Sequence, residues 1–110
     1  MAEDESFHVV NNKEALRFEV NLNGELAYIK YQYYKKDIAF MHTVVPDAFR
    51  GKGIGAAMAV AALQFVQEQH RKIMLYCTFM AKYVREHPEY HALVDTNFHP
   101  SFGRVGQNGS

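Results

Sequence analysis

The sequence predicts a single α/β domain in which antiparallel strands precede a βαβ unit within one mixed, twisted sheet, and three observations predict it. Residues 14–34 alternate apolar and polar side chains around Asn23-Gly24. A helical pattern without a breaker runs from Ile54 to about His70. Two β-rich runs, 37–45 and 72–77, flank that helix.

The first strands follow from "EALRFEVNLNGELAYIKYQYY". Leu16, Phe18 and Val20 alternate with Arg17 and Glu19, and Asn23-Gly24 supplies the two residues that a tight type I′ turn requires. Antiparallel strands are therefore expected at about 14–21 and 25–34, with a short edge strand at 6–11. After the polar Lys35-Lys36-Asp37 turn, "DIAFMHTVVP" gives a strand over 37–45 that stops at Pro46. Ile54, Met58, Ala61, Ala62, Phe65 and Gln69 then fall on the three-and-four spacing of a helix, and small residues at 56, 57, 59, 61 and 62 let it lie close to a sheet. "KIMLYC" is a buried strand, "FMAKYVREH" a short helix ended by Pro88, and the polar, Gly- and Pro-containing stretch after 95 a loose tail. The domain is expected to span 1–94, with a flexible tail at 95–110. The strands at 37–45 and 72–77 should be parallel neighbours joined by a right-handed crossover.

At 110 residues the chain has room for one core. Twelve basic residues balance twelve acidic ones, so bulk charge supports neither a nucleic-acid nor a membrane partner. The single cysteine, Cys77, precludes an internal disulfide framework and suits a reducing compartment. The start, "MAEDESF", lacks the features of a secretory signal, and no run approaches the ~18 apolar residues of a membrane helix. A cytoplasmic location is expected, with the nucleus as the alternative.

The stretch that asks for a function is "VVPDAFRGKGIGAAMAVAAL". Glycines at 51, 53 and 55 allow backbone amides to converge at a helix N-terminus, where the macrodipole favours an anion, most often a phosphate. A P-loop fails, because Gly51-Lys52 is preceded at the required position by Pro46 and followed by Gly53. Gly51, Gly53 and Ala56 match the spacing of a dinucleotide fingerprint. That motif, however, belongs to a domain's first strand and needs an acidic residue about 20 positions on. Here antiparallel strands come first, and the second parallel strand ends in Tyr76-Cys77.

Arg50-x-x-Gly53-x-Gly55, after a strand and opening a helix, resembles the (Q/R)-x-x-G-x-(G/A) motif of the GNAT superfamily of N-acetyltransferases. The context "HTVVPDAFRGKGIGAAM", followed by "LYCTFMAKYVREHPEY", is similar to a small single-domain branch of that superfamily over roughly residues 7–94. The resemblance implies a GNAT-like sheet, lacking the usual C-terminal strand pair, that binds acetyl-CoA or coenzyme A. It implies that Arg50, Gly51, Lys52, Gly53, Ile54, Gly55 and Ala56 surround the pyrophosphate. Thr43, Val44 and Val45 would hold the pantetheine arm through backbone groups, because the two parallel strands splay apart there.

Amine acetylation needs an acceptor for the amine's proton, an oxyanion donor and an acid for the departing thiolate. His42, expected on the strand face of Ile38, Phe40 and Val44, is the candidate base. Cys77, ending the neighbouring parallel strand, is either a small buried hydrophobe or a thiol near the acetyl group that forms a transient acetyl-cysteine. Tyr83 sits where the resemblance places a tyrosine able to protonate the coenzyme A thiolate. His87 and His91 are separated by Pro88, which breaks the helix that a metal-binding H-E-x-x-H needs, so no metal is expected. "YQYYKK" suggests RNA stacking only superficially; in a neutral chain it is a solvated strand end. The expected function is acetyl transfer from acetyl-CoA to an amine on a small molecule or a protein. The alternative is a coenzyme A or acyl-CoA binding module with little turnover. Neither the acceptor nor the oligomeric state follows from the sequence.

Overall fold

The computed structural model describes residues 7–102. Five strands form one sheet in the order β1-β2-β3-β4-β5: β1 (Val10–Asn12), β2 (Arg17–Leu22), β3 (Glu25–Tyr34), β4 (Asp37–Val44) and β5 (Lys72–Leu75). The first three junctions are antiparallel, whereas β4 and β5 run parallel through α1 (Ile54–Gln69). A second helix, α2 (Thr78–Glu86), leaves the end of β5. This is the mixed, GNAT-like α/β architecture that the sequence predicts.

Asn23 and Gly24 both take positive φ, 56° and 83°, as a primed hairpin turn requires. The expected strand at 14–21 is observed as 17–22, because the Asn12 side chain accepts from the Ala15 amide at 3.0 Å and holds a turn ahead of it. Leu16 leaves that turn at φ 58° and its carbonyl accepts from the Tyr31 amide. The expected edge strand at 6–11 is shifted to 10–12, and residue 6 lies outside the described residues.

Cross-strand partners share a face, so the register sorts the sheet into two sides. Phe18, Val20, Ala27, Ile29, Tyr31, Ile38 and Phe40 form one buried face. Against it lies the α1 stripe of Ile54, Met58, Ala59, Ala62, Leu63 and Val66. Of the stripe expected from spacing, Ala61 and Phe65 are half-buried and Gln69 is exposed. Phe65 packs against Phe18 and Tyr31, with ring centroids at 5.6 and 5.7 Å. The second helix covers β4 and β5 from the same side through Met80 and Val84. The opposite face of the sheet, carrying Arg17, Glu19, Tyr28 and Lys30, has no helix packed on it among the described residues.

The expected β5 at 72–77 ends at Leu75, and Pro88 opens a 3₁₀ turn (Pro88–Leu93) as well as ending α2. The loose tail expected from 95 is not what residues 95–102 form. Val94 bridges Ile73, the Asp95 amide donates to the Ile73 carbonyl at 3.0 Å, and the Leu75 amide donates to His99 Nε2 at 2.8 Å. Phe102 is buried under the Arg85 guanidinium, 4.5 Å from the ring. An aromatic anchor and two capped backbone groups thus fasten this segment to the edge of β5, a gain that composition does not reveal. Residues 103–110 of the expected tail lie outside the described residues.

Candidate functional site

The β4–β5 ladder runs from Asp37↔Lys72 to Phe40↔Leu75 and then stops. Phe40 carbonyl accepts from both the Tyr76 and Cys77 amides, at 3.0 and 3.1 Å, while β4 continues to Val44 and the other chain turns into α2. Parallel strands that part in this way leave a cleft at their C-terminal ends, where open α/β sheets take ligands. The cleft measures about 250 Å³ and is lined by Met41, His42, Thr43, Tyr76, Cys77, Thr78 and Phe79. His42, Thr43 and Cys77 are therefore brought together as expected.

Their orientation differs from expectation. Opposite β3, Tyr31 pairs with Phe40 but Lys30 pairs with His42, so Met41 is the extra residue of a β-bulge. A bulge advances the alternation by one. His42 therefore leaves the face of Ile38 and Phe40 and joins the open face with Lys30, where it is exposed. Thr43 takes the core side instead, and its Oγ1 lies 2.7 Å from Cys77 Sγ. The side chain bonded to the thiol is Thr43, a residue that the sequence marks only for its backbone. No local signal in β4 betrays the bulge, since "AFMHTV" alternates equally well in either phase.

Cys77 is buried, at 6 % exposure. It is the N-cap of α2, its Sγ accepting from the Met80 amide at 3.4 Å. The thiol thus sits where a helix presents its amides, with a hydroxyl on its other side.

The glycine loop lies beyond β4. A 3₁₀ turn (Asp47–Phe49) leads through Gly51 (φ 77°) and Gly53 (φ 75°) into α1. Both glycines occupy the left-handed region that costs an L-residue roughly 1–2 kcal/mol, which is the physical reason for their presence. Gly53 is the N-cap of α1 and has no side chain to close it; the first intrahelical bond is Ala57 amide to Gly53 carbonyl at 3.0 Å. The amides of Ile54, Gly55 and Ala56 therefore make up an open helix end suited to a phosphate. Gly55 has a different use: a Cβ there would lie 3.0 Å from the Phe79 ring. Its absence lets a wall of the cleft rest on the first turn of α1, linking the loop to the cleft. Arg50, expected to supply charge, is exposed and its Nε bonds Asp47 Oδ1 at 3.1 Å.

Tyr83 stands apart from the cleft. Its ring stacks on His87, with centroids 3.9 Å apart, and burial, then the Tyr90 and Glu89 charges, push its phenol above the usual range. Among the described residues no group of three or more His, Cys, Asp or Glu side chains is arranged to hold a metal, and no helix is long and apolar enough to cross a membrane.

A family described as GCN5-related N-acetyl-transferase matches residues 17–93. Protein NATD1 of Xenopus tropicalis is 43% identical over 86 residues, covering 76% of this chain and 79% of that protein. The mouse and human proteins of the same name are each 43% identical over 83 residues, 73% of this chain, covering 76% and 74% of their own lengths. The matched span contains β2 through α2, hence the bulged strand, the glycine loop and the cleft between them. By its sequence and its fold, the chain belongs to the GCN5-related N-acetyltransferase family.

Proposed function

We propose that this protein is an acetyl-CoA-dependent N-acetyltransferase. One observation carries the reading: the splay after Phe40 opens a cleft containing the Thr43–Cys77 pair, and an uncapped glycine-loop helix start is joined to that cleft through Phe79. The open amides of Ile54, Gly55 and Ala56 receive the pyrophosphate, with Gly51, Arg50 and Lys52 beside them. The backbone of Thr43, Val44 and Val45, beyond the last β5 partner, holds the pantetheine arm and places the thioester in the cleft.

In direct transfer the neutral amine attacks the thioester carbonyl, its proton passes to His42, and the carbon–sulfur bond to coenzyme A breaks. In the two-step form Cys77 Sγ attacks the same carbonyl carbon, its proton leaves with the coenzyme A thiolate, and the acetyl-cysteine is then attacked by the amine. Tyr83, outside the cleft, is assigned no part in either form. A second reading, a coenzyme A binding module with little turnover, draws on a specific observation: the thiol is bonded to a hydroxyl, Thr43 Oγ1, rather than to the His42 imidazole.

Calorimetric titration with acetyl-CoA, alongside intact mass after incubation, separates these readings. Binding with a gain of about 42 Da that Cys77→Ala abolishes establishes the acetyl-cysteine. Binding and amine acetylation without that gain establish direct transfer. Binding without turnover leaves the module, and failure to bind refutes the proposal.

A further inference from the structure

A second cavity, of about 400 Å³, opens at the other end of the β4–β5 pair. Tyr34, Met74 and Phe98 give it apolar walls, Asp37, Asp95 and Asn97 contribute its hydrogen-bonding groups, and Lys35 and Lys36 also border it. The cavity meets the acyl-transfer cleft through one aromatic pair. Phe98, a wall of the cavity, packs edge-on at 5.3 Å against Tyr76, a wall of the cleft.

The register explains how the two are joined. Asp37 and Ala39 on β4, and Lys72 and Met74 on β5, share the sheet face that lacks helices. The Met41 bulge turns His42 onto that same face, and alternation along the chain after Met74 brings Tyr76 there. Because Ala39 and Met74 are themselves buried, the path from the carboxylates to His42 runs over the exposed Tyr76–Phe98 pair. Along β4 it is five residues long, on the order of 13–16 Å at ~3.3 Å per residue.

The polar end has a definite chemistry. Asp37 and Asp95 are hydrogen-bonded to each other. Burial, then that bond and the Asp95 charge, raise the Asp37 carboxyl to about 6, while the bond from Asp37 lowers Asp95. Above pH 6 two carboxylates therefore stand side by side. Lys72 acts on Asp37 electrostatically, but its Nζ donates to the Ala92 carbonyl at 2.6 Å. Lys35 lies over the Tyr34 ring at 5.5 Å. A protonated amine on an apolar chain complements both parts: ammonium against the carboxylates, methylenes against Tyr34, Met74 and Phe98. The two bordering lysines disfavour any further positive charge on the part of the ligand that passes them.

We propose that this cavity is the distal subsite for the amine acceptor, whose second ammonium group binds at Asp37 and Asp95 while its reacting nitrogen lies in the cleft. The proposal rests on the acetyl-transfer reading and specifies its substrate class: an acceptor with two amino groups on the order of 10–15 Å apart along an extended chain. A linear diamine offers such a pair, as does a lysine peptide with a second basic side chain about three or four residues away.

The test compares acetyl transfer to a long α,ω-diamine, to the monoamine of equal length, and to lysine peptides with and without the second basic residue. Each is measured on the wild type, Asp37→Asn, Asp37→Asn/Asp95→Asn and Phe98→Ala. Asparagine preserves the pairing at 37 and the side-chain acceptor for the Asn97 amide at 95, so the fold is kept. The doubly basic acceptor should show a KM about tenfold below its singly basic counterpart, the worth of one charge-assisted hydrogen bond. That advantage should vanish in the double variant, while monoamine turnover and acetyl-CoA affinity stay unchanged. An advantage confined to diamines or to peptides identifies the source of the ammonium. Equal KM values for singly and doubly basic acceptors, or an advantage that survives loss of both carboxylates, overturns the proposal. A direct readout separates this failure from failure of the enzymatic reading. Titrating labelled Met74 methyl with the diamine must give saturable shifts that the double variant loses, whether or not any amine is acetylated. No saturable shift overturns the subsite independently of turnover.

Discussion

The two helices that follow the two parallel strands begin in opposite ways. At α1 the cap is Gly53, which offers no side chain, and three amides are left for a ligand. At α2 the cap is Cys77, whose sulfur takes the Met80 amide and is itself covered by Thr43. The same backbone dipole thus serves an incoming anion at one start and a resident thiol at the other. The contrast separates the binding of a phosphate from the placing of a nucleophile, and substitutions at the two caps should separate them in solution.

The largest effect is expected at the open start. Gly53→Val places a β-branched residue at φ 75° and blocks the approach to the amides. Loss of two charge-assisted hydrogen bonds predicts acetyl-CoA binding weaker by about 100-fold or more, read by calorimetry. At the closed start, Cys77→Ala removes the cap and should cost about 1 kcal/mol, seen as a melting temperature lower by about 4–8 °C. Cys77→Ser restores an acceptor for Met80 and should recover most of that stability without restoring an acetylated sulfur. The serine and alanine variants together divide capping from chemistry. Gly55→Ala should act between the two starts: the new methyl meets the Phe79 ring. Against a gain in helix propensity of up to ~1 kcal/mol, the ring must yield, so stability should change by less than that amount while acetyl-CoA affinity falls several-fold.

The smallest effects are in pH. The folded-state pKa of Asp37 is raised, so the native state holds the proton more tightly and stability declines as pH rises from about 4 through about 6. His99 is shifted the other way, chiefly by burial, so its contribution is complete above about 6.5 and is lost as pH falls below that value. Protonated Nε2 cannot accept from the Leu75 amide. Melting curves across pH 4–7 should therefore show two opposing slopes. Asp37→Asn should remove only the decline with rising pH, and His99→Phe only the loss toward acid.

The sequence makes the fold legible wherever a local rule acts alone. Asn23-Gly24 marks its hairpin, the uninterrupted apolar spacing marks α1, and glycines at 51 and 53 mark left-handed turns ahead of a helix. It is silent where one segment is fixed by another distant in the chain. The fastening of 95–102 depends on an imidazole capping Leu75 and on a ring under Arg85, which no composition rule ties to a strand edge. The pairing of Asp37 with Asp95 joins residues about half the chain apart, and each residue alone is an ordinary surface aspartate. His42, Thr43 and Cys77 were visible as candidates, but which of them touch was not, because that depends on the strand's phase.

The phase is set by Met41. A chain that kept Met41 but ran through it as regular strand would keep the histidine, the threonine, the cysteine and every glycine, and would align with this one without a gap. Its histidine would nonetheless look into the core, and its threonine would look away from the sulfur. In proteins built on this plan, the presence or absence of a bulge at this one point of the fourth strand would exchange the occupants of the reaction chamber without altering any of them. Kinship in the catalytic apparatus is therefore better judged by the register of the fourth strand against the third than by finding the same letters in both.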